Sequence, residues 1–451
     1  MLDLLITNGT LVDGQGARPG ALGIAGSRIA GRYAPGGDLP PATRTLDATG
    51  RLVLPGMVDP HVHFYGEGIG AYSKLAVRGG VTTFIGMIRG APERPLADVL
   101  DETRRAGLSE AVADFAFHTV LYDRPESIGQ IAALAARGYR SFKMFMAYKR
   151  RGMMVRDEFL IAAMQEIARV GGIALIHAEH GEAVDFLEQK AVACGCTGAE
   201  CYEPTRPAEA EAAAIEIVAL ASQATGCPAY VVHLSSRAGL AAIEAARRRG
   251  VPILAESCPQ YLLLGNDALM SLGAAAKVAP PLRGAADRVA LATALRTGAL
   301  NTIGSDHASF SAEAKAGGNG GKGSDIFAVP FGMSGAPILW PAMFTWAQDT
   351  GFPLPELVRA MAEAPARIFG LSAAKGTLAP GADADLILVD PTKRERLDMG
   401  TLAPGICPSP LGDAPLAGWP ELTLSRGEVV WDGTAVIGRP GRARHLPQEA
   451  R

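Results

Sequence analysis

From residue 52 onward, eight short runs rich in apolar and β-branched residues alternate with segments of helical composition, and this alternation limits what the chain can fold into. The runs are Leu52 to Val58, Thr82 to Met87, Asp114 to Val120, Ser141 to Phe145, Ile173 to Ile176, Ala229 to Val232, Pro252 to Ala255 and Leu300 to Ile303. Helical spacing marks Ala97 to Ala106, Ile128 to Ala136, Asp157 to Val170, Ala208 to Ala224, Gly239 to Arg249 and Arg288 to Arg296. Strands covered by helices on both faces lose the polar alternation of half-exposed strands, which is the pattern seen here. Eight such units predict an α/β fold, a closed (β/α)8 TIM-like barrel over residues 51–371.

The two ends read differently. Leu2 to Val12, Leu22 to Gly31, Arg44 to Asp47, Ala384 to Val389 and Leu422 to Trp431 have the composition of short strands with turns and no helices between them. They predict a small β-sandwich domain assembled from both termini, residues 1–50 and 372–440, followed by a tail at 441–451. Pro355 to Leu371 reads as helix after the last barrel strand, with Pro365 expected to break or kink it, and Gly376 to Gly381 as the return to the small domain.

A net charge of −3, left over from 43 basic and 46 acidic residues, provides no general field for nucleic acid or an anionic membrane. No stretch approaches the roughly 18 uncharged apolar residues of a membrane span. The amino terminus carries Asp3 among alternating apolar residues, where a signal peptide has a basic segment and a long apolar run. A cytoplasmic enzyme with a small-molecule partner is expected. The six cysteines form no disulfide framework and are expected to be thiols; Cys194, Cys196 and Cys201 cluster without an evident fourth metal ligand.

Catalytic residues of a βα barrel sit at the carboxyl ends of its strands, so the residues closing each apolar run are the informative ones. The first run leads into Asp59-Pro60-His61-Val62-His63, the fourth contains Lys143, the fifth ends at His177, the sixth at His233 and the eighth at Asp306. His61 and His63, two apart on extended chain, project to one side as a chelating pair. With only eight histidines in the chain, two more at equivalent strand ends point to a metal site. Lys143 stands in the apolar run SFKMFM, where burial favours the neutral amine. A neutral amine can take up carbon dioxide as a carbamate, an anion able to bridge two metals.

The segments LPGMVDPHVHF, SFKMFMAYK, IHAEHGEAVDFL, TRPAEAEAAAI, VVHLSSRAGLAAIEAARRRGV, ESCPQYLLL, APPLR, SDHA and GADADLILVD resemble those of the cyclic amidohydrolases, in particular the hydantoinase and dihydropyrimidinase group. The resemblance runs over nearly the full length. It implies that His61 and His63 bind one metal with Asp306, that His177 and His233 bind the other, and that Lys143 is the carbamylated bridge. It implies two divalent ions, most often Zn2+, attack by a metal-bridging hydroxide, Asp306 as general base and Tyr148 as hydrogen-bond donor to the developing oxyanion. The implied reaction is ring opening of a hydantoin or dihydropyrimidine to an N-carbamoyl amino acid, with allantoinase the nearest alternative and a homotetramer or dimer the expected assembly.

Relatives acting on dihydroorotate resemble H-x-H-x-R, with arginine for the substrate carboxylate; Tyr65 stands there instead, so an acidic ring is disfavoured. Phe64, Tyr65, Tyr72, Met153 and Met154 are candidates for an apolar wall. Ala279 and Phe331 occupy places where the group has a serine before PPLR and an asparagine in a P-N-G turn, both of which hold the substrate ring. His118 and His307 read as supporting residues, Cys258 as a buried thiol. The run at Gly317 to Ser324 imitates a phosphate loop but has glycine where serine or threonine is required, and reads as an active-site loop.

Overall fold

The computed structural model describes residues 1–65, 67–90, 94–316 and 325–451. Eight parallel strands build the barrel: Met57–His63, Val81–Arg89, Asp114–Val120, Ser141–Phe145, Ile173–His177, Ala229–Val231, Ile253–Ser257 and an interrupted eighth, Thr302–Ile303 with His307–Ala308. Each pairs with its sequence neighbour. Thr302–Ile303 pairs with strand seven and His307–Ala308 with strand one, so the ring closes through the break at 304–306. Asp59 holds that seam, accepting from Ser305 N–H at 2.9 Å, Ser305 Oγ at 2.5 Å and Tyr72 OH at 3.0 Å.

Alternate strand residues fill the barrel: Val58, Ile85, Met87, Ala116, Phe145, Leu175, Tyr230 and Val232 form one interior cluster. Phe142, Met144 and Val62 instead join the cluster beneath the helices. The interior is closed from below by Ile368, Phe369 and Leu371, at and just beyond the end of the last helical segment. That segment runs from Leu354–Val358 through a wider π turn, Arg359–Glu363, into Ala364–Ile368. Pro365 has no N–H to give, and the wider turn before it accommodates the missing bond without ending the run.

Strand one begins later than the sequence suggests. Leu52–Pro55 pairs with Leu2–Asp13 and Leu386–Val389 in the small domain, and the chain crosses into the barrel at Gly56. A Cβ at Gly56 would lie 2.1 Å from Thr82 Oγ1, so only glycine lets the crossing pass strand two. The small domain is a sheet of eight strands, seven in one path and Ala42–Asp47 branching from Leu2–Asp13, that curls back until Ile29 N–H reaches the Ala382 carbonyl at 2.9 Å, enclosing Leu11, Ile24, Val53, Leu386 and Leu424. Leu22 to Gly31 is not one strand but parts of two, Gly16–Ala25 and Arg28–Tyr33, turned at Gly26 with φ 56°. Likewise Leu422 to Trp431 divides into Pro420–Ser425 and Glu428–Trp431.

Residues 441–451 are ordered against the amino ends of the barrel strands. Leu446 N–H donates to the Phe115 carbonyl (2.7 Å), Gln448 N–H to Gly138 (2.9 Å) and Arg451 N–H to Gly171 (3.1 Å). One cysteine expectation is corrected: Cys196 and Cys201 are joined in a disulfide, Cα atoms 5.9 Å apart, because the turn through Ala199–Cys201 folds the short loop back on itself. Cys194, Cys227, Cys258 and Cys407 remain thiols, and two of the three clustered cysteines are thereby excluded as metal ligands. Among the described residues no helix is long and apolar enough to cross a membrane.

Candidate metal centre

The six residues picked out at strand ends converge on one cavity. His61, His63, Lys143, His177, His233 and Asp306 all line it, with Tyr65, Arg89, Phe145, Tyr148, Ala279, Ala308, Phe331 and Gly332. The alternation that buries Val58 inside the barrel would turn both histidines of strand one outward. A register irregularity between Asp59 and Val62 reverses it, sending Val62 outward and His61 and His63 inward.

Two groups of donors face each other. Asp306 Oδ1 lies 3.2 Å from His61 Nε2 and 3.3 Å from His63 Nε2, and among the described residues this is the trio whose ligand atoms fall within 4.8 Å. His177 Nδ1 lies 2.9 Å from His233 Nε2, and Tyr148 OH 3.3 Å from His177 Nδ1. Carboxylates fix the far sides of two imidazoles: Glu256 Oε1 is 2.6 Å from His61 Nδ1, and Glu179 Oε2 is 2.6 Å from His177 Nε2. A carboxylate only accepts, so each of these nitrogens carries the proton and the opposite nitrogen presents a lone pair. Arg206 in turn binds Glu179 at 2.5 Å, and although burial pushes that carboxyl up, the guanidinium and His177 hold it at about 2.

Electrostatics favour ligation over ion pairing. Burial drives His63 down to about 3, His233 well below the usual imidazole range and His177 down, so all three are neutral at pH 7, the state that metal binding requires. Burial pushes the Asp306 carboxyl up, but His61 and His63 beside it more than offset this. Lys143 is fully buried, and desolvation lowers it to about 7 despite Asp306 and Glu256 nearby. Among the described residues its Nζ has no hydrogen-bond partner, and neither do the buried His61 Nε2 and His233 Nδ1. Unpartnered nitrogens at the centre of a polar cavity fit a bound cation, because leaving such groups unmet costs about 1–3 kcal/mol each.

Backbone strain gathers at the same place. Of the five non-glycine residues with positive φ, three are Tyr148 (67°), His233 (41°) and Asp306 (48°). Asp306 sits in the break of strand eight, where Gly304 passes so close that a Cβ would meet Glu256 Oε2 at 2.8 Å and His61 Cβ at 3.1 Å. The other four histidines have different tasks. His118 lies between Ser141 Oγ (2.6 Å) and the Pro60 carbonyl (2.8 Å), His307 holds Glu67 and accepts from Gly335 N–H (3.0 Å), His180 caps a helix, and His445 packs on Phe115.

The expected apolar wall is only partly present. Tyr65, Ala279 and Phe331 line the cavity, Phe331 stacked on Tyr148 at 4.9 Å and 14°. Phe64 does not: it points to the other side of the strand, against Tyr72 (5.5 Å) and Phe84 (6.1 Å). The alternation that pairs His61 with His63 already placed Phe64 on the opposite face. Tyr72 is buried on Asp59, and Met153 and Met154 lie outside the lining. Cys258 is a fully buried thiol, pushed up by burial. Gly317 to Ser324 lies outside the described residues. Sequence reading missed Glu179, Glu256 and Arg89. Glu256 is the last residue but one of strand seven and Arg89 the last of strand two, and ending those runs at Ala255 and Met87 hid both.

A family model described as "Amidohydrolase family" matches residues 52–430. A D-hydantoinase of Rhizobium radiobacter is 32% identical over 97% of each chain. An allantoinase of Rubrobacter xylanophilus is 34% identical over 99% of this chain and 98% of its own. The crystal structure of a dihydropyrimidinase from Brevibacillus agri superposes with a TM-score of 0.93 at 28% identity, covering 100% of this chain and 99% of that one.

Proposed function

This chain belongs to the amidohydrolase family, in its hydantoinase group, and on that premise we propose that it opens a cyclic amide of the hydantoin or dihydropyrimidine type to an N-carbamoyl amino acid. The observation that carries the proposal is the convergence of six donors, several with unpartnered buried nitrogens, on one cavity at the carboxyl ends of the barrel strands.

His61, His63 and Asp306 would hold one divalent cation and His177 and His233 the other, with Lys143, as a carbamate, supplying oxygen donors to both. The neutral Lys143 amine adds to carbon dioxide, one N–H proton leaving as the N–C bond forms, so that a neutral buried group becomes a two-oxygen anion. Bound there, two divalent cations, zinc by the mixture of imidazole and oxygen donors, supply Lewis acidity to the amide carbonyl and bring the pKa of water from 15.7 toward about 7. Asp306, whose Oδ1 lies 3.2 and 3.3 Å from the two histidines of strand one, takes the proton of the attacking water and passes it to the leaving nitrogen as the ring C–N bond breaks. Tyr148, whose burial keeps the phenol protonated, donates to the oxygen on which negative charge develops. Ala279 and Phe331 border the ring, and Glu256 and Glu179 keep His61 and His177 in the ligating tautomer.

Hydrolysis is tested on metal-loaded protein with dihydrouracil, 5-substituted hydantoins and allantoin. Appearance of N-carbamoyl product from a hydantoin or dihydropyrimidine supports the reading, and inertness on every cyclic amide contradicts it. The similarity to an allantoinase favours one second reading, exclusive turnover of allantoin, which the same panel separates. The family resemblance also supports a homotetramer or dimer in the cytoplasm, the assembly being readable by light scattering.

A further inference from the structure

We infer that Arg89 forms an anion subsite beside these donors, so that the ring this chain opens carries a carboxylate; the inference rests on the cyclic-amide reading above. Arg89 closes strand two and lines the same cavity as His63, Lys143 and Asp306. Its guanidinium carbon lies 4.9 Å from the ring centre of Tyr65 and 5.6 Å from that of Phe145. Tyr65 in turn stacks on His63, centroids 5.1 Å apart and 6° from parallel, so the guanidinium sits one ring away from the ligand set.

Among the described residues Arg89 makes no hydrogen bond and no ion pair, and its Nε is buried without a partner. Three basic residues of the adjoining outer cavity behave differently, Lys149 pairing with Glu182, Arg150 with Asp185 and Arg206 with Glu179, while Lys277 donates to the Ile326 and Val329 carbonyls and Arg151 lies over the Phe331 ring. A guanidinium stays charged at any relevant pH. Two aromatic faces offset part of its desolvation but satisfy none of its donors in line. A half-buried cation with unmet donors inside a reaction cavity is satisfied by a ligand's anion, and the planar fork matches a carboxylate in bidentate fashion. By sequence an acidic ring is disfavoured, because Tyr65 stands where relatives place arginine. In space the positive charge is present after all, supplied from the end of the neighbouring strand.

The test compares hydantoin-5-acetic acid with its primary amide, nearly the same shape with and without the charge, by titration calorimetry on the metal-loaded enzyme and on Arg89→Met. The expected result is tighter binding of the acid by about 10- to 100-fold in the wild type. That preference should be lost in Arg89→Met with metal content unchanged. Equal binding of acid and amide by the wild type overturns the subsite, and this arm needs no variant to fold. A preference that survives in Arg89→Met also overturns it, as does loss of metal from that variant, which would assign Arg89 to the metal centre instead. Turnover is followed in parallel. Arg89-dependent binding of the acid by a protein inert on every cyclic amide of the panel sinks the cyclic-amide reading and leaves the subsite standing, whereas hydrolysis with no preference does the reverse.

Discussion

Lys143 carries the strongest residue-scale prediction, because its fully buried amine, 4.9 Å from the centre of the Phe145 ring, has no hydrogen-bond partner among the described residues. Lys143→Ala should reduce hydrolysis to near background, and short-chain carboxylic acids should restore part of it by supplying the missing bridging oxygens. An unimpaired variant refutes the bridging role. Tyr148 is different, since it touches His177 but stands outside the ligand trio. Tyr148→Phe should lower kcat by about 10²–10³ and leave metal content intact, as removal of a single oxyanion donor does. A fall in metal with kcat per metal preserved would make it a ligand-positioning residue. That six donors would gather in one cavity was legible in the sequence because they stand in or just after apolar runs. Glu256, Glu179 and Arg89 were not singled out, because an acid or a base ending an apolar run has no meaning until the neighbouring strand is known.

At the scale of elements, the crossing at Gly56 joins the two domains, with Thr82 of strand two packed against it. Gly56→Ala should destabilise the fold by about 1–3 kcal/mol, read by chemical denaturation, since the methyl must displace buried backbone or Thr82. An unchanged midpoint would mean the strands separate freely there. All eight barrel strands were legible from composition, as parallel strands under helices are nearly uniform apolar runs. Their edges were not. Leu52–Pro55 is as apolar as Met57–His63, and nothing local says that Gly56 divides one sheet from another. The bulge between Asp59 and Val62 was invisible for the same reason, although the H-x-H spacing survives it.

The whole molecule is tied together by its last eleven residues, 441–451, which run across the entrances of three barrel strands. Gln448 is buried there, its amide 2.7 Å from Ser141 Oγ, and Ser141 reaches His118 and through it the Pro60 carbonyl next to His61. The carbonyl can only accept, so His118 Nε2 donates to it and Nδ1 accepts from Ser141. His445 lies against Phe115, Phe117 and Tyr139, and burial lowers it to about 4 from 6.5. Above pH 6.5 it is neutral folded or unfolded and contributes no pH dependence. Between 6.5 and about 4 the unfolded chain binds a proton that the folded one does not, so stability falls as pH falls. His445→Phe should flatten that limb of a Tm-against-pH curve; an unaltered curve contradicts the assignment.

Six side chains from five strands and two cations between them are the centre of this reading. The most direct measurement is elemental analysis of the purified protein by mass spectrometry, combined with chelation and re-addition of zinc. About two zinc per chain are predicted, with hydrolysis lost on removal and regained on return. Full hydrolysis by metal-free protein would contradict the account.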